Sequence, residues 1–276
     1  MRFDPKQTIL VSDLDGTLLP PDKIPLERDL AAIRRFEAAG GRFAIATGRT
    51  IQAAIRYQEQ LGLTTPMIVY NGAAIYDSVN DTVLFSESLP HDALAITREI
   101  MEAYPHVGVE VLRAQNAYVV RNNEWEKHHI ALCGVEPVYC TLDEIPKDGW
   151  LKVLFAMSPE EVPPFIAAIG KQNFSGVDFI QSAPIFYEML PANVTKGSAL
   201  RAYRRLAGME DVCFAAVGDF DNDVEMLRQA DFSAAPANAV DAAKAAARQV
   251  LTKTCEEGAV EELIGILLCN RKNKTD

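Results

Sequence analysis

Two aspartates end an apolar run near the amino terminus. The stretch LVSDLDGTLL, residues 10–19, begins like a buried strand and then carries Asp13 and Asp15 two positions apart. Neighbouring carboxylates repel each other unless a cation or a proton lies between them. Residues two apart in an extended chain point to the same side, so both carboxylates can face one site. Because Mg²⁺ prefers such oxygen ligands beside a phosphate, the pair predicts a magnesium site.

Three further stretches place polar residues after apolar strands or at a helix start. Thr47-Gly48-Arg49 follows a predicted strand, where a hydroxyl and backbone N–H groups before a helix can hold an anion. Lys196 begins a predicted helix and offers a compact positive charge, and GDFDND, residues 218–223, adds carboxylates after the apolar run 213–217. Any one such turn is more often a helix cap or a solvated loop. Their co-occurrence at strand ends, where parallel sheets bind ligands, indicates one site.

Short apolar runs alternate with helical periodicity at both ends of the chain. Strands at residues 8–12, 42–46 and 67–70 alternate with helices at 26–39 and 51–61, which predicts parallel pairing through right-handed crossovers. The alternation returns from Lys196 onward, whereas the middle mixes helices and strands. The pattern predicts an α/β fold, a Rossmann-like doubly wound parallel-sheet core with an inserted α+β cap domain. The expected division is core at 1–86, cap at 87–184 and core at 185–276.

Composition and charge restrict the class of protein. The chain has 276 residues, 49% of them hydrophobic, and a formal net charge of −11. No run is long enough to cross a membrane, and the first twelve residues lack a signal-peptide pattern, so we expect a cytoplasmic protein. The negative charge argues against nucleic acid or anionic membranes as partners. An anionic substrate would then need a local cation at its binding site. The sequence does not decide between a monomer and a dimer.

The five cysteines show no CxxC spacing, so we expect free thiols in a reducing compartment. Two of them, Cys133 and Cys140, occur near the pair His128-His129 and raise the possibility of zinc, because His129 and Cys133 lie one helical turn apart. The preferred interpretation is an amphipathic helix over residues 125–132 whose histidines have these neighbours by chance.

The four stretches together carry a family resemblance. In their order along the chain, DLDGT, TGR, TKG and GDFDND resemble the motifs of the haloacid dehalogenase superfamily. The chain is most similar to the Cof-like, sugar-phosphatase-like branch (type IIB), which has a large α/β cap between the second and third motifs. The resemblance extends over nearly the whole chain, and the pairing of DxDGT with GDxxND is specific.

The resemblance implies a role for each motif residue. Asp13 would be the nucleophile and Asp15 the general acid and base, with Mg²⁺ held by carboxylates and by the Asp15 backbone carbonyl. By role, the implied residues are catalytic Asp13 and Asp15; phosphate-binding Thr47, Gly48, Lys196 and Asn222; metal-binding Asp13, Asp15, Asp219 and Asp223; and substrate-adjacent Asn71, Gly72 and Arg49. A weaker match at residues 236–239 leaves Asn238 without an assigned role.

The resulting hypothesis is a Mg²⁺-dependent phosphatase that hydrolyses a small phosphorylated metabolite, such as a sugar phosphate, through an aspartyl-phosphate. The cap would close over the site and select the substrate. One alternative is a phosphomutase, which would need an arginine cluster in the cap, where Arg98, Arg113 and Arg121 are scattered. Another is a catalytically silent phosphate-binding regulator, which would not need a nucleophile and a paired acid. The sequence does not name the substrate.

Overall fold

The computed structural model describes residues 3–134, 136–206 and 211–269, without the side chains of Leu132 and Cys133. Its contacts divide the chain into two compact units. The first unit comprises Met1–Thr47, Gln58–Leu84 and Thr195–Asp276, and the second comprises Gly48–Tyr57 and Phe85–Val194.

The helices and strands follow one another in an alternating order that changes in the middle of the chain. The first elements are β1 (Thr8–Ser12), α1 (Glu27–Ala38), β2 (Arg42–Ile45), α2 (Ile51–Leu61), β3 (Met67–Val69), β4 (Ala74–Asp77) and β5 (Thr82–Ser86). The middle elements are α3 (Ala93–Ala103), β6 (Gly108–Leu112), β7 (Ala117–Arg121), α4 (Glu124–Cys133), β8 (Pro137–Tyr139), β9 (Lys152–Ala156), α5 (Val162–Ile169), β10 (Val177–Ala183) and β11 (Phe186–Pro191). The last elements are α6 (Lys196–Leu206), β12 (Cys213–Val217), α7 (Val224–Gln229), β13 (Phe232–Ala235), α8 (Asp241–Ala246), β14 (Gln249–Val250) and α9 (Ala259–Cys269).

The first unit contains a five-stranded parallel sheet with the strand order β14-β13-β12-β1-β2. Strand β1 lies between β12 and β2, and every residue of it is buried, which is typical of a parallel strand covered on both faces. In the ladder Ser12 lies opposite both Val217 and Ile45. The carboxyl ends of these three strands therefore meet at one edge, and the predicted α/β fold with a parallel-sheet core is confirmed.

Strand β3 differs from its predicted place as a third strand of the parallel ladder. It pairs antiparallel with β4 in a three-stranded sheet of order β3-β4-β5. Its link to the core sheet is one parallel bridge between Ala46 and Ile68, continued by a hydrogen bond of 2.9 Å from the Thr47 N–H to the Ile68 carbonyl. Because the turn at 70–73 reverses the chain directly after β3, the backbone N–H and C=O groups of β3 form hydrogen bonds with β4.

The second unit contains a six-stranded sheet of order β10-β11-β9-β6-β7-β8, which is antiparallel except between β7 and β8. Apolar residues of α3 and α5 pack on this sheet in one buried cluster, which includes Ile96, Phe165, Val109 and Phe155. Helix α4 contacts β6 and β9. These contacts give the second unit a hydrophobic core of its own.

The predicted boundary between residues 184 and 185 lies ten residues before the end of the second unit at Val194. The reason is β11, which pairs with β10 and β9 and so belongs to the six-stranded sheet. The second unit also includes residues 48–57, which the prediction assigned to the core. The division into 1–86, 87–184 and 185–276 stays a prediction, and residues 270–276 at its end lie outside the described part.

Within the described residues, no helix is both long and apolar enough to cross a membrane. Four cysteines, Cys140, Cys213, Cys255 and Cys269, are free thiols. The side chain of Cys133 lies outside the described part, and the cytoplasmic location stays a prediction.

A buried carboxylate joins the first and last long helices of the first unit. Asp29 of α1 is fully buried, and its Oδ1 accepts the N–H of Glu261 in the first turn of α9 at 2.7 Å. The first N–H groups of a helix have no partner within it, so Asp29 caps α9 from a separate element. Burial raises the pKa of Asp29 to about 6, partly offset by this hydrogen bond.

We expect Asp29 to make stability depend on pH in a specific window. Because the pKa is higher in the folded state than the ordinary 3.8, the folded protein binds a proton more tightly between that value and about 6. The stabilisation of the folded state by the proton on Asp29 is complete below pH 3.8 and is lost as the pH rises through about 6. Relative to Asp29→Asn, the wild type should lose up to about 3 kcal/mol across this window. Urea unfolding at pH 4 to 7 measures the difference, and parallel pH profiles would contradict the expectation.

Candidate active site

The site begins where β1 and β12 end side by side. Asp13 follows β1 directly, is 6% exposed, and donates its N–H to the Val217 carbonyl at 2.9 Å. Asp219 comes two residues after β12 and is also buried. The parallel ladder therefore brings two carboxylates that are 206 positions apart in sequence to one edge of the sheet.

Lys196, the first residue of α6, places a cation between two of the buried carboxylates. Its Nζ donates to Asp13 Oδ1 at 2.6 Å and to Asp223 Oδ1 at 2.7 Å, and its side chain has no solvent exposure. Charge-assisted hydrogen bonds of this length are the strong kind. Removing one member of a buried ion pair is costly because the remaining charge has no compensation, so these three residues depend on one another.

Burial decides the proton affinities in this cluster. It raises the pKa of Asp13 well above its ordinary value; Lys196 opposes this, and the neighbouring carboxylates add to it. Burial likewise raises the pKa of Asp219 to about 6, against the hydrogen bond from Thr17. For Lys196 burial acts to lower the pKa, but Asp13 and Asp223 outweigh it and raise the pKa above its usual range. The cluster as a whole therefore attracts further positive charge.

The donor set fits a hard divalent cation. Carboxylate oxygens of Asp13, Asp219 and Asp223 all lie within 4.8 Å of one another. Oxygen ligands of this kind, supplemented by water and substrate oxygens, are those that Mg²⁺ takes in proteins. The carboxylate of Asp15 is not in this group, since its Oδ1 pairs with Lys23 Nζ at 2.7 Å. A metal role for Asp15 through its backbone carbonyl stays a prediction.

Two glycines allow the carboxylates to approach the strand ends. A Cβ on Gly16, whose φ is +87°, would lie 2.4 Å from Asp219 Oδ2. A Cβ on Gly218 would lie 2.4 Å from Asp223 Cγ. Asp223 also holds its own loop, because its Oδ2 accepts the N–H groups of Asp219 at 2.9 Å and Phe220 at 3.1 Å. The carboxylate of Asp223 therefore fixes the conformation of the GDFDND loop through two backbone hydrogen bonds.

The turn at residues 70–72 brings a second group of polar residues to the start of α6. Asn71 (φ 55°) donates its N–H to the Thr47 carbonyl at 3.1 Å, and its Oδ1 accepts Asn222 Nδ2 at 2.9 Å. A Cβ on Gly72, whose φ is +104°, would lie 2.1 Å from the Thr195 carbonyl oxygen, so only glycine permits this close approach. Thr47, Asn71 and Asn222 are therefore linked at the same end of the parallel sheet.

Gly48 and Arg49 belong to the second unit. The Gly48 carbonyl accepts a hydrogen bond of 3.1 Å from Lys152 Nζ, and the Arg49 guanidinium lies over the Tyr57 ring, 4.9 Å from its centroid. The predicted phosphate contact of Gly48 and the predicted substrate contact of Arg49 stay predictions.

Three residues that had no assigned role contact the predicted ones. Thr17 Oγ1 donates to Asp219 Oδ1 at 2.6 Å, and Asn238 Nδ2 donates to the Gly16 carbonyl at 2.8 Å. Lys23 pairs with Asp15 at the edge of a cavity of about 480 Å³ that Asn238 also lines. Thr17 lies inside DLDGT and Asn238 in the weak match, so both had a sequence signal, whereas Lys23 had none.

A family model described as haloacid dehalogenase-like hydrolase matches residues 10–264. The chain is 28% identical to 5-amino-6-(5-phospho-D-ribitylamino)uracil phosphatase YitU of Bacillus subtilis (strain 168), over 95% of this chain and 98% of that protein. It is 30% identical to the HMP-PP phosphatase of Serratia proteamaculans (strain 568), over 90% of each chain. The crystal structure of TM0651 from Thermotoga maritima superposes with a TM-score of 0.80 and 25% identity, over 96% of this chain and 97% of that one.

We expect Lys196→Met to destabilise the metal-free protein by about 3–5 kcal/mol, because it leaves two buried carboxylates without their cation. Added Mg²⁺ should recover part of this loss if the carboxylates bind it. Urea unfolding in EDTA and in Mg²⁺ measures both effects.

Lys253→Met is the matched control, since Lys253 pairs with Glu261 at 2.7 Å with both side chains about one-third exposed. Its cost should stay below about 1 kcal/mol in either buffer. Equal losses in the two variants would show that the buried cluster is not held together by Lys196.

Proposed function

The chain belongs to the haloacid dehalogenase-like hydrolases and is a phosphatase of that family, and we propose that it hydrolyses a small phosphorylated metabolite through a phosphoaspartate on Asp13. The observation that carries the proposal is the contact of Lys196 Nζ with Asp13 Oδ1 at 2.6 Å, beside the carboxylates of Asp219 and Asp223. It supports the proposal because it brings the proposed nucleophile, the proposed anion-binding cation and the proposed metal ligands together at one edge of the sheet.

Asp13 is suited to attack phosphorus because Lys196 favours its ionised form. A carboxylate that attacks in line forms a bond to phosphorus while the bond to the leaving oxygen breaks, which divides one difficult step into two easier ones. In the substrate complex the ammonium group of Lys196 would bind an equatorial phosphate oxygen as well as Asp13. Positioning and charge stabilisation of this kind supply most of the catalysis in phosphoryl transfer.

Asp15 is proposed as the general acid and then the general base. Unlike Asp13, its side chain is 37% exposed, and its partner Lys23 is 40% exposed, so the pair can open when substrate arrives. Asp15 would give a proton to the leaving alkoxide and later take one from the water that attacks the phosphoaspartate. A general acid and base of this kind typically contributes roughly 10²–10⁴ in rate.

The residues proposed to hold Mg²⁺ are Asp13, Asp219 and Asp223 through their carboxylates and Asp15 through its backbone carbonyl. When bound, the ion would neutralise the charge on the phosphate oxygens. Thr17 would position Asp219 through their hydrogen bond of 2.6 Å. These assignments are supported by the donor chemistry of the cluster and by the burial that raises the pKa of Asp13 and of Asp219.

Neutral donors are proposed to complete the phosphate site. Thr47 can contribute a hydroxyl, and Asn222 an amide that its hydrogen bond to Asn71 already orients. Asn71 and Gly72 would lie beside the substrate, and Gly48, which follows Thr47 in the chain, would add a backbone N–H. Arg49 is proposed as a further substrate contact on the strength of its place in the Thr-Gly-Arg motif.

A sugar phosphate is proposed as the substrate within the broader class of small phosphate esters. The names of two relatives, one a 5-amino-6-(5-phospho-D-ribitylamino)uracil phosphatase and one an HMP-PP phosphatase, point to different substrates. Family membership therefore supports the hydrolysis of a phosphate ester, whereas the alcohol that the substrate releases is still to be identified. We also propose that the protein is cytoplasmic and that it is a monomer or a dimer.

The phosphomutase alternative gains no support from the cap arginines, because each contacts a different group. Arg98 pairs with Asp143 at 2.6 Å, Arg113 lies 3.6 Å from Asp148, and Arg121 donates to backbone carbonyls that include that of Met101. A second phosphate would need such cations to converge.

We expect Asp13→Asn to lose turnover by about 10³-fold or more, because an amide cannot form the phosphoaspartate. Phosphate release from an aryl phosphate in Mg²⁺ measures the rate, and acid quenching with labelled substrate measures the phosphoenzyme. Asp15→Asn should instead trap the phosphoenzyme, since an aryl oxide leaves without a proton but the attacking water still needs a base.

The control for both variants is Asp22→Asn, in the exposed loop, which should keep the wild-type rate. Phosphoenzyme in Asp13→Asn, or a near wild-type rate in a pure sample, would remove Asp13 as the nucleophile.

We expect Asp219→Ala to raise the Mg²⁺ concentration for half-maximal rate by roughly 10- to 100-fold, because the ion loses a carboxylate ligand. A Mg²⁺ titration of the aryl phosphate rate measures this change. Asp221→Ala, two positions away and exposed, is the matched control and should leave the titration midpoint in place. An unchanged midpoint in Asp219→Ala would argue against its ligand role.

A further inference from the structure

A second group of metal-ligating side chains lies inside the second unit, on α4 and the strand beneath it. Glu110 is on β6, and Glu126 and His129 are on α4. The two helix residues are three positions apart and so occupy neighbouring places on one face. Their relative exposures are 1% for Glu110, 0% for Glu126 and 6% for His129, which places all three inside the unit.

The three side chains converge in a mainly apolar environment. One ligand atom from each lies within 4.8 Å of the other two, and His129 Nδ1 is 2.7 Å from Glu110 Oε2. The ring of Phe186 meets the His129 ring edge-on with centroids 5.0 Å apart. Phe186 is itself part of a buried cluster with Leu154 and Ala156.

The charges at this point favour a divalent cation. Buried carboxylates are costly unless a positive charge or hydrogen bonds compensate them. Here two carboxylates accompany one imidazole, and an imidazolium supplies a single positive charge. A divalent cation supplies two and can accept all three ligands at once.

We propose that Glu110, Glu126 and His129 bind a divalent transition-metal ion, for which Zn²⁺ is the best match. Zinc takes imidazole nitrogen and carboxylate oxygen at about 2.0–2.2 Å, so two ligand atoms on a tetrahedral ion lie roughly 3.4 Å apart. His129 Nδ1 and Glu110 Oε2 are 2.7 Å apart and would have to separate by less than about 1 Å to occupy two such positions. Because a histidine ligand must be neutral, binding of the ion to His129 Nδ1 would release to water any proton that this nitrogen carries.

This site differs from the catalytic cluster in its chemistry and does not depend on the proposed function. The catalytic cluster offers carboxylates alone, which suit Mg²⁺, whereas a set that includes imidazole favours zinc. An ion here would connect α4 to β6, a strand inside the six-stranded sheet, and so would stabilise the second unit. Its effect should appear in stability and metal content, with the phosphatase rate as a separate readout.

The first test is equilibrium dialysis against Zn²⁺ with saturating Mg²⁺, for the wild type, His129→Gln and His128→Gln. His128 is the matched control because it is the neighbouring histidine of the same helix and is exposed. The wild type and His128→Gln should each retain one more equivalent of zinc than His129→Gln. Zinc should also raise the melting temperature of those two proteins by several degrees and leave that of His129→Gln nearly unchanged. Equal zinc retention in all three would overturn the proposal.

A second measurement keeps the proposal testable if His129→Gln does not fold. X-ray absorption of zinc-loaded wild type and His128→Gln should show scattering from an imidazole ligand, which the carboxylates of the catalytic cluster cannot produce. Its absence in either protein at full zinc loading would overturn the proposal.

Discussion

The contact of one buried ammonium group with two buried carboxylates is the interaction on which the rest of the site depends. Lys196 touches Asp13, which ends β1, and Asp223, which closes the loop after β12. Three segments remote in sequence must therefore fold together before any of these charges is compensated. Strand β1, in which every residue is buried, and its parallel neighbours bury apolar surface, and this burial offsets the free-energy cost of placing charged groups inside the protein.

Local backbone conformation determines how closely the charged groups approach. At Gly16, Gly72 and Gly218 a single added carbon would collide with Asp219, with the start of α6, or with Asp223. The short motifs that contain these glycines thus combine two requirements: a residue with a polar side chain, and a nearby glycine that has no side chain to block the close approach. This explains why the motifs can be recognised in sequence although their residues meet only in the folded chain.

The motifs identified candidate site residues such as Asp13, Lys196 and Asp219 from sequence, whereas contacts made by residues outside the motifs could not be predicted. The strands before Asp13 and Asp219 could be predicted because a parallel strand buried on both faces is a continuous apolar run. The contact of Lys23 with Asp15 depends on a loop conformation with φ 63° at Lys23, which no periodicity signals. The place of β11 depends on pairing with β9, which turn chemistry does not specify.

Helix α4 shows the same limit in another form. The sequence drew attention to His128, His129, Cys133 and the more distant Cys140, yet the metal-ligating side chains that the fold brings close to His129 are Glu110 and Glu126.

The net charge of the cluster formed by Lys196, Asp13, Asp219 and Asp223 bears on whether a lysine alone could support the proposed reaction. Lys196 faces three carboxylates, Asp13, Asp219 and Asp223, so the ionised cluster carries two net negative charges and would repel a phosphate dianion. The −11 of the whole chain adds to that repulsion. Protonation of Asp13 and Asp219, which their raised pKa values favour, would reduce the repulsion but neutralise the carboxylate proposed as the nucleophile. In the proposed mechanism a divalent cation would reduce the repulsion while all three carboxylates stay ionised, which would make substrate binding compatible with nucleophilic attack.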